Sequence, residues 1–206
     1  MFADLHLHSR SSDGTYAPED FGNLALRFNL AAVALTDHDT VEGCAAAAAA
    51  CETAGVGFLP GLELTAEWQG QEVHLLAYYV DIGHAPLLTQ LARFQVARQD
   101  RIREMVGRLN RLGIPLLANA VFELARCRSP GRPHVAQALV HAGHCQTLDE
   151  AFERFLRQHR PAWVPKYKVP AAEAIALLHR AGALAVMAHP GLYPSDAAIP
   201  ELVEAG

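Results

Sequence analysis

A chain of 206 residues with 51% hydrophobic content can bury a real core as one globular domain, with room for an embedded subdomain. A formal charge of -5 gives no basic footprint for duplex DNA, and no apolar run reaches the length of a membrane span. Cys44, Cys51, Cys127 and Cys145 show no C-x-x-C spacing, which suits a reducing cytoplasm and disfavours a secreted disulfide scaffold.

Phe2–His8 reads as a first strand and not as a signal peptide. Period-2 alternation places Leu5 and Leu7 on one face and Asp4, His6 and His8 on the other. The polar turn from Ser9 to Gly14 then brings Asp13 back towards the two imidazoles. Pro18 opens a helix with Glu19 and Asp20 in its first turn. Ala31–Leu35 is a continuous apolar run, as in a strand buried on both faces of a parallel sheet. It ends in Thr36-Asp37-His38-Asp39-Thr40, where Asp37 and Asp39 taken singly read as turn or helix-cap residues.

Val41–Ala54 is an alanine-rich helix, with Cys44 and Cys51 as small core residues one heptad apart. Val56–Leu62 is a third strand ending in Glu63, and Glu72–Val80 a fourth carrying His74 within it. Residues 87–112 have apolar side chains at helical spacing between charges. From Ala118 to about Pro170 the texture changes to short helices and the turn Arg128-Ser129-Pro130-Gly131-Arg132-Pro133. Residues 87–170 therefore read as a helical subdomain inserted between 1–86 and 171–206. Pro170–Arg180 is an amphipathic helix, Gly182–Ala188 a strand ending in His189-Pro190, and Pro200–Ala205 the start of a helix. Strands alternating with helices predict an α/β fold with a mainly parallel sheet.

The ionisable residues fall at strand ends: His6 and His8 on the first, His38 on the second, Glu63 on the third and His189 on the last. In parallel α/β folds those ends converge on one face. Such a cluster would cost several kcal/mol if nothing neutralised it, and divalent cations do so. Mixed imidazole and carboxylate ligands without thiolates suit Zn, Mn or Fe. The candidates outnumber the needs of one ion, so two or three ions with Glu63 bridging are expected. A site of that kind suits phosphate-ester hydrolysis, with metal-bound hydroxide as nucleophile and no protein nucleophile. Taken singly, His74 also reads as a core histidine and Glu63 as a salt-bridge partner.

The text Asp4-Leu5-His6-Leu7-His8-Ser9, Thr36-Asp37-His38-Asp39, Gly61-Leu62-Glu63, Val73-His74 and Ala188-His189-Pro190 resembles the polymerase and histidinol phosphatase (PHP) family. The resemblance implies a distorted (β/α)7 barrel holding up to three metals. Position by position it implies His6, His8 and Glu63 on a first ion, Glu63, His74 and His189 on a second, and Asp13 with His38 on a third. The family closes its metal set with a later Gly-Ser-Asp-x-His strand, which does not occur before Gly206. The expectation is a C-terminally truncated barrel, open on one side.

Gly131-Arg132-Pro133-His134-Val135-Ala136, Phe152-Glu153-Arg154-Phe155-Leu156 and Pro165-Lys166-Tyr167-Lys168 resemble the nucleotide-phosphatase branch of that family. Its members remove a 3'-phosphate from 3',5'-bisphosphorylated nucleosides or trim short RNA from the 5' end. Arg132 offers a planar fork and a helix N-terminus adds peptide donors, with His134 as a further donor. Lys166, Lys168 and Arg128 would neutralise a second phosphate. The plainer reading makes Arg132 a structural bridge and the lysines solvated charge. Tyr167 or Trp163 would stack on a base, with core packing the alternative for Trp163. The reading is a metal-dependent phosphoesterase acting on a nucleotide or short RNA. A histidinol-phosphate phosphatase and a non-catalytic metal-binding module are the alternatives.

Overall fold

The apolar run Leu30–Leu35 forms β2 between β1 (Phe2–Leu7) and β3 (Gly57–Trp68), parallel to both. Neighbours on both edges and cover on both faces explain why it lacks polar alternation. The computed structural model describes residues 2–193 and 195–206.

Strand β3 does not stop at Glu63. It runs on to Trp68 and returns through Gln69-Gly70 into β4 (Gln71–Tyr78). Gln69 and Gly70 have φ of 48° and 80°. A two-residue turn with both φ positive matches the twist of a hairpin and favours glycine at such a position. The expected mainly parallel sheet is corrected here, because β4 is antiparallel to β3 and to β6 (Leu184–Met187). The order is β1-β2-β3-β4-β6, with the short β5 (Val169–Pro170) beside β3, and the sheet curls into a half-barrel.

Pro18 starts a short 3-10 turn, Pro18–Asp20, that leads into α1 (Phe21–Arg27). Helix α2 (Cys44–Ala54) follows β2, and Phe21, Ala25, Val33, Leu35, Ala47 and Cys51 pack into one core. A second apolar cluster, Ala34, Leu76, Tyr78 and Ala188, includes the residue opposite Glu63 in register, Leu76.

The chain divides into two compact units, Met1–Ala92 with Lys168–Gly206, and Arg93–Tyr167. Helix α3 (Ala85–Arg111) carries the chain from the first into the second. The second unit continues with α4 (Ala118–Ala125), α5 (Arg132–His141), α6 (Leu148–Ala151) and a π-helical turn at Phe152–Leu156. Its core contains Ile102, Met105, Leu109, Val121, Leu139 and Leu156. The first three recur at helical spacing along α3 and so bury one stripe of it. The chain then returns to the first unit for α7 (Ala171–Arg180) and α8 (Ala198–Glu204). Among the described residues no helix is long and apolar enough to cross a membrane.

Candidate metal centre

Alternation along β3 buries Leu62, Leu64 and Ala66 and turns Glu63, Thr65 and Glu67 to the other face. Beyond β2 the chain stays alongside β3. The Glu63 N–H donates to the Asp37 carbonyl at 3.1 Å, and the Asp39 N–H donates to the Glu63 carbonyl at 3.0 Å. His38 is thereby held beside Glu63. Glu63 thus lies inside a strand, not at its end, because pairing with β4 carries β3 on to Trp68.

Asp37 and Asp39 act over long range, and Asp39 also sits in a turn with a φ of 50°. The buried Asp37 carboxylate accepts from Ser9 N at 2.7 Å, Ser9 Oγ at 2.6 Å and Ser12 Oγ, which ties the loop after β1 to the end of β2. Burial raises its pKa, against the lowering effect of those bonds. Asp39 accepts from Thr65 N at 2.7 Å and Thr65 Oγ1 at 3.0 Å. Gly14 completes the loop after β1. A Cβ there would lie 2.0 Å from the His8 carbonyl oxygen, so close backbone approach demands glycine. The tight return sets Asp13 oxygens 3.9 Å from His8 Nδ1 and 3.8 Å from His38 Nε2.

Five imidazoles converge on Glu63, which is 1% exposed. Its Oε2 lies 3.2 Å from His6 Nε2, 3.3 Å from His8 Nε2 and 3.0 Å from His38 Nδ1. Its Oε1 lies 2.7 Å from His74 Nδ1 and 3.0 Å from His189 Nε2. Burial pushes the Glu63 carboxyl up, but bonds from His74 and His8 and the charge on His38 and His74 outweigh it. They hold the group far below the usual carboxylate range. Burial lowers His8, yet its bond to Glu63 and the charges of Asp13, Glu63 and Asp37 leave it raised.

A carboxylate offers about four lone-pair sites, and here five ring nitrogens crowd against one. Among the described residues the buried Nδ1 of His189 has no hydrogen-bond partner, and His8 Nδ1 is beyond hydrogen-bond reach of Asp13. Divalent cations fit this donor set of imidazole nitrogen and carboxylate oxygen without thiolate. Ligand atoms lie within 4.8 Å of one another in three groups: His6, His8 and Glu63; His8, Asp13 and His38; and His38, Glu63 and His74. His8, His38 and Glu63 each belong to two groups. Sharing of this kind suits several ions around one carboxylate.

Residues 4–159 match the PHP domain, three quarters of the chain, and they carry every ligand candidate but His189. The chain belongs to the PHP domain family. As a PHP protein it is 32% identical over 196 residues to the 5'-3' exoribonuclease Rnm of Salmonella typhimurium, covering 94% of this chain and 67% of that one. It is 33% identical over 193 residues to the 3',5'-nucleoside bisphosphate phosphatase of Chromobacterium violaceum, covering 92% of this chain and 67% of that one. The chain therefore spans about two thirds of the length of these curated relatives. A crystal structure from Bifidobacterium adolescentis, provisionally described as a metal-dependent phosphoesterase, superposes with a TM-score of 0.92 at 31% identity. It covers all of this chain, which spans 75% of that one. Family, fold and relatives are those of PHP-type metal-dependent phosphoesterases, and divalent ions are implied.

All seven ligand candidates, His6, His8, Asp13, His38, Glu63, His74 and His189, lie together in the sheet unit of this PHP domain. Sequence reasoning passed over Glu72 and Tyr193. Glu72 Oε1 lies 3.1 Å from His74 Nε2, and the Tyr193 hydroxyl oxygen accepts the His74 N–H at 2.9 Å. The i,i+2 spacing of Glu72 and His74 on one strand was an available signal, whereas Tyr193 offered none.

The other candidates have these partners. Arg132 donates to the Leu156 carbonyl at 3.3 Å and lies over the Phe152 ring. His134 Nδ1 accepts the Gly131 N–H at 3.0 Å, so its neutral ring carries the proton on Nε2. Lys168 pairs with Glu67 at 3.1 Å and donates to the Gly70 carbonyl at 3.2 Å. Lys166 is half-buried in the helical unit. Tyr167 meets the Phe94 ring edge-on, and Trp163 is half-buried near His159.

Proposed function

We propose that this PHP domain hydrolyses phosphate esters of nucleotides, either 3',5'-bisphosphorylated nucleosides or the 5' end of short RNA. The observation that carries the reading is the convergence of five imidazoles on one buried carboxylate. The names of the relatives from Salmonella typhimurium and Chromobacterium violaceum support the substrate class.

On this reading up to three ions of Mn, Zn or Fe are held: one by His6, His8 and Glu63, one by Glu63, His74 and His189, and one by Asp13 and His38. When bound, such ions supply Lewis acidity and activate water at neutral pH. Glu63 provides the shared negative charge. Asp37 and Asp39 hold the backbone on which His8, His38 and Glu63 are mounted. We further infer that residues 87–170 form a substrate-binding subdomain, in which Arg132 and His134 at the start of α5 take phosphate and Lys166 adds positive charge. Lys168, which pairs with Glu67, is a further candidate for substrate charge on this reading. We infer a cytoplasmic setting from the spacing of the four cysteines, which is not that of a disulfide scaffold.

The test is phosphate release from adenosine 3',5'-bisphosphate by the natural full-length protein with added Mn, alongside histidinol phosphate. Preferred release from the bisphosphate, abolished by His8→Ala and weakened in KM by Arg132→Ala, is expected. Preference for histidinol phosphate would overturn the substrate class. Metal uptake with no release from either would make the domain a non-catalytic metal-binding module.

A further inference from the structure

We propose that Glu72 is a positioning residue for the metal centre: it fixes the His74 proton on Nε2 and leaves Nδ1 bare beside Glu63. The inference rests on the reading of His74 as a metal ligand. Alternation along β4 sets Glu72 and His74 on one face, one pleat apart. The ring is held between two carboxylates, with Nδ1 2.7 Å from Glu63 Oε1 and Nε2 3.1 Å from Glu72 Oε1. A neutral imidazole has one ring proton, and a nitrogen that binds a cation cannot keep it. The acceptor at Nε2 therefore selects the tautomer that a cation beside Glu63 requires.

The backbone of His74 is already fixed. Its N–H donates to the Tyr193 hydroxyl at 2.9 Å and its carbonyl accepts the Ala188 N–H at 2.9 Å. The ring is then oriented from both sides, by Glu63 at Nδ1 and by Glu72 at Nε2. Glu67 lies directly opposite Glu72 in the hairpin, where like charges repel, and the Lys168 ion pair neutralises Glu67. The Glu72 side chain is 37% exposed, so its replacement opens no core cavity.

The experiment measures Zn affinity of the natural full-length protein by competition with a chromophoric chelator. Wild type, Glu72→Ala, Glu72→Gln and His74→Ala are compared, and nitrogen NMR of the Zn-loaded, histidine-labelled protein reads the His74 tautomer. Glu72→Ala is expected to weaken the affected site by about 10–100-fold and to blur the Nε2–H signature. Glu72→Gln keeps a carbonyl acceptor and should retain most of the affinity. Weakening by His74→Ala without weakening by Glu72→Ala overturns the role of Glu72 and leaves the metal reading intact. Equal loss in the Gln and Ala variants also overturns it, because an acceptor alone would then not suffice. Unchanged affinity in His74→Ala removes His74 from the ligand set, and this inference with it.

Discussion

In the helical unit Arg101 donates to the Val164 carbonyl at 2.8 Å, and Asn110 takes both the N–H and the carbonyl of Leu116. His134 there accepts the Gly131 N–H. Each of these three side chains is matched to backbone groups that would otherwise be left unsatisfied. In the sheet unit the Glu63 carboxylate, with about four lone-pair sites, meets five ring nitrogens. Burial of polar residues is common to both units, so burial alone does not mark chemistry. The stoichiometry of partners does: one-to-one matching holds a fold together, while a surplus of ligand atoms aimed at one point calls for an added group.

The contrast can be broken by mutation. Leu139→Ala, in the helical core, should lower unfolding free energy by about 2–5 kcal/mol in urea titration, with Zn bound per folded chain unchanged. A drop in Zn per folded chain would show that the units do not separate structure from chemistry this way. Zn at 100 times its dissociation constant should stabilise wild type by about 2.7 kcal/mol, and Glu63→Gln should lose most of that gain in thermal melts with and without Zn. Gly14→Ala should cost about 1–3 kcal/mol, since the new Cβ meets the His8 carbonyl, and elemental analysis should find less metal as Asp13 moves away. Arg157→Ala, which breaks an exposed pair with Glu153, should change stability by no more than about 0.5 kcal/mol.

The ligand residue types were legible because strand-end motifs such as His6-Leu7-His8 and Ala188-His189-Pro190 are local. The place of Glu63 was not, because the length of β3 is set by pairing with β4 through a Gln-Gly turn, a weaker hairpin signal than Asn-Gly. Asp37 and Asp39 looked like local caps, yet their partners Ser9, Ser12 and Thr65 lie 25 to 28 residues away in sequence. Arg98 and Arg101 fall among the charges between the apolar positions of α3, yet they are 8% and 6% exposed. Long aliphatic stems let arginine be covered, and nothing in the helical spacing reports it.

Strand β3 is bordered by β2 and β5 along one edge and by β4 along the other. Amides in its middle can exchange with solvent only when the whole sheet opens, whereas frayed ends and the hairpin tip exchange through small local openings. The carboxylate that anchors the centre is mounted on this segment paired along both edges. Binding of Zn there should therefore raise the protection of the Glu63 amide in hydrogen exchange run with and without the ion.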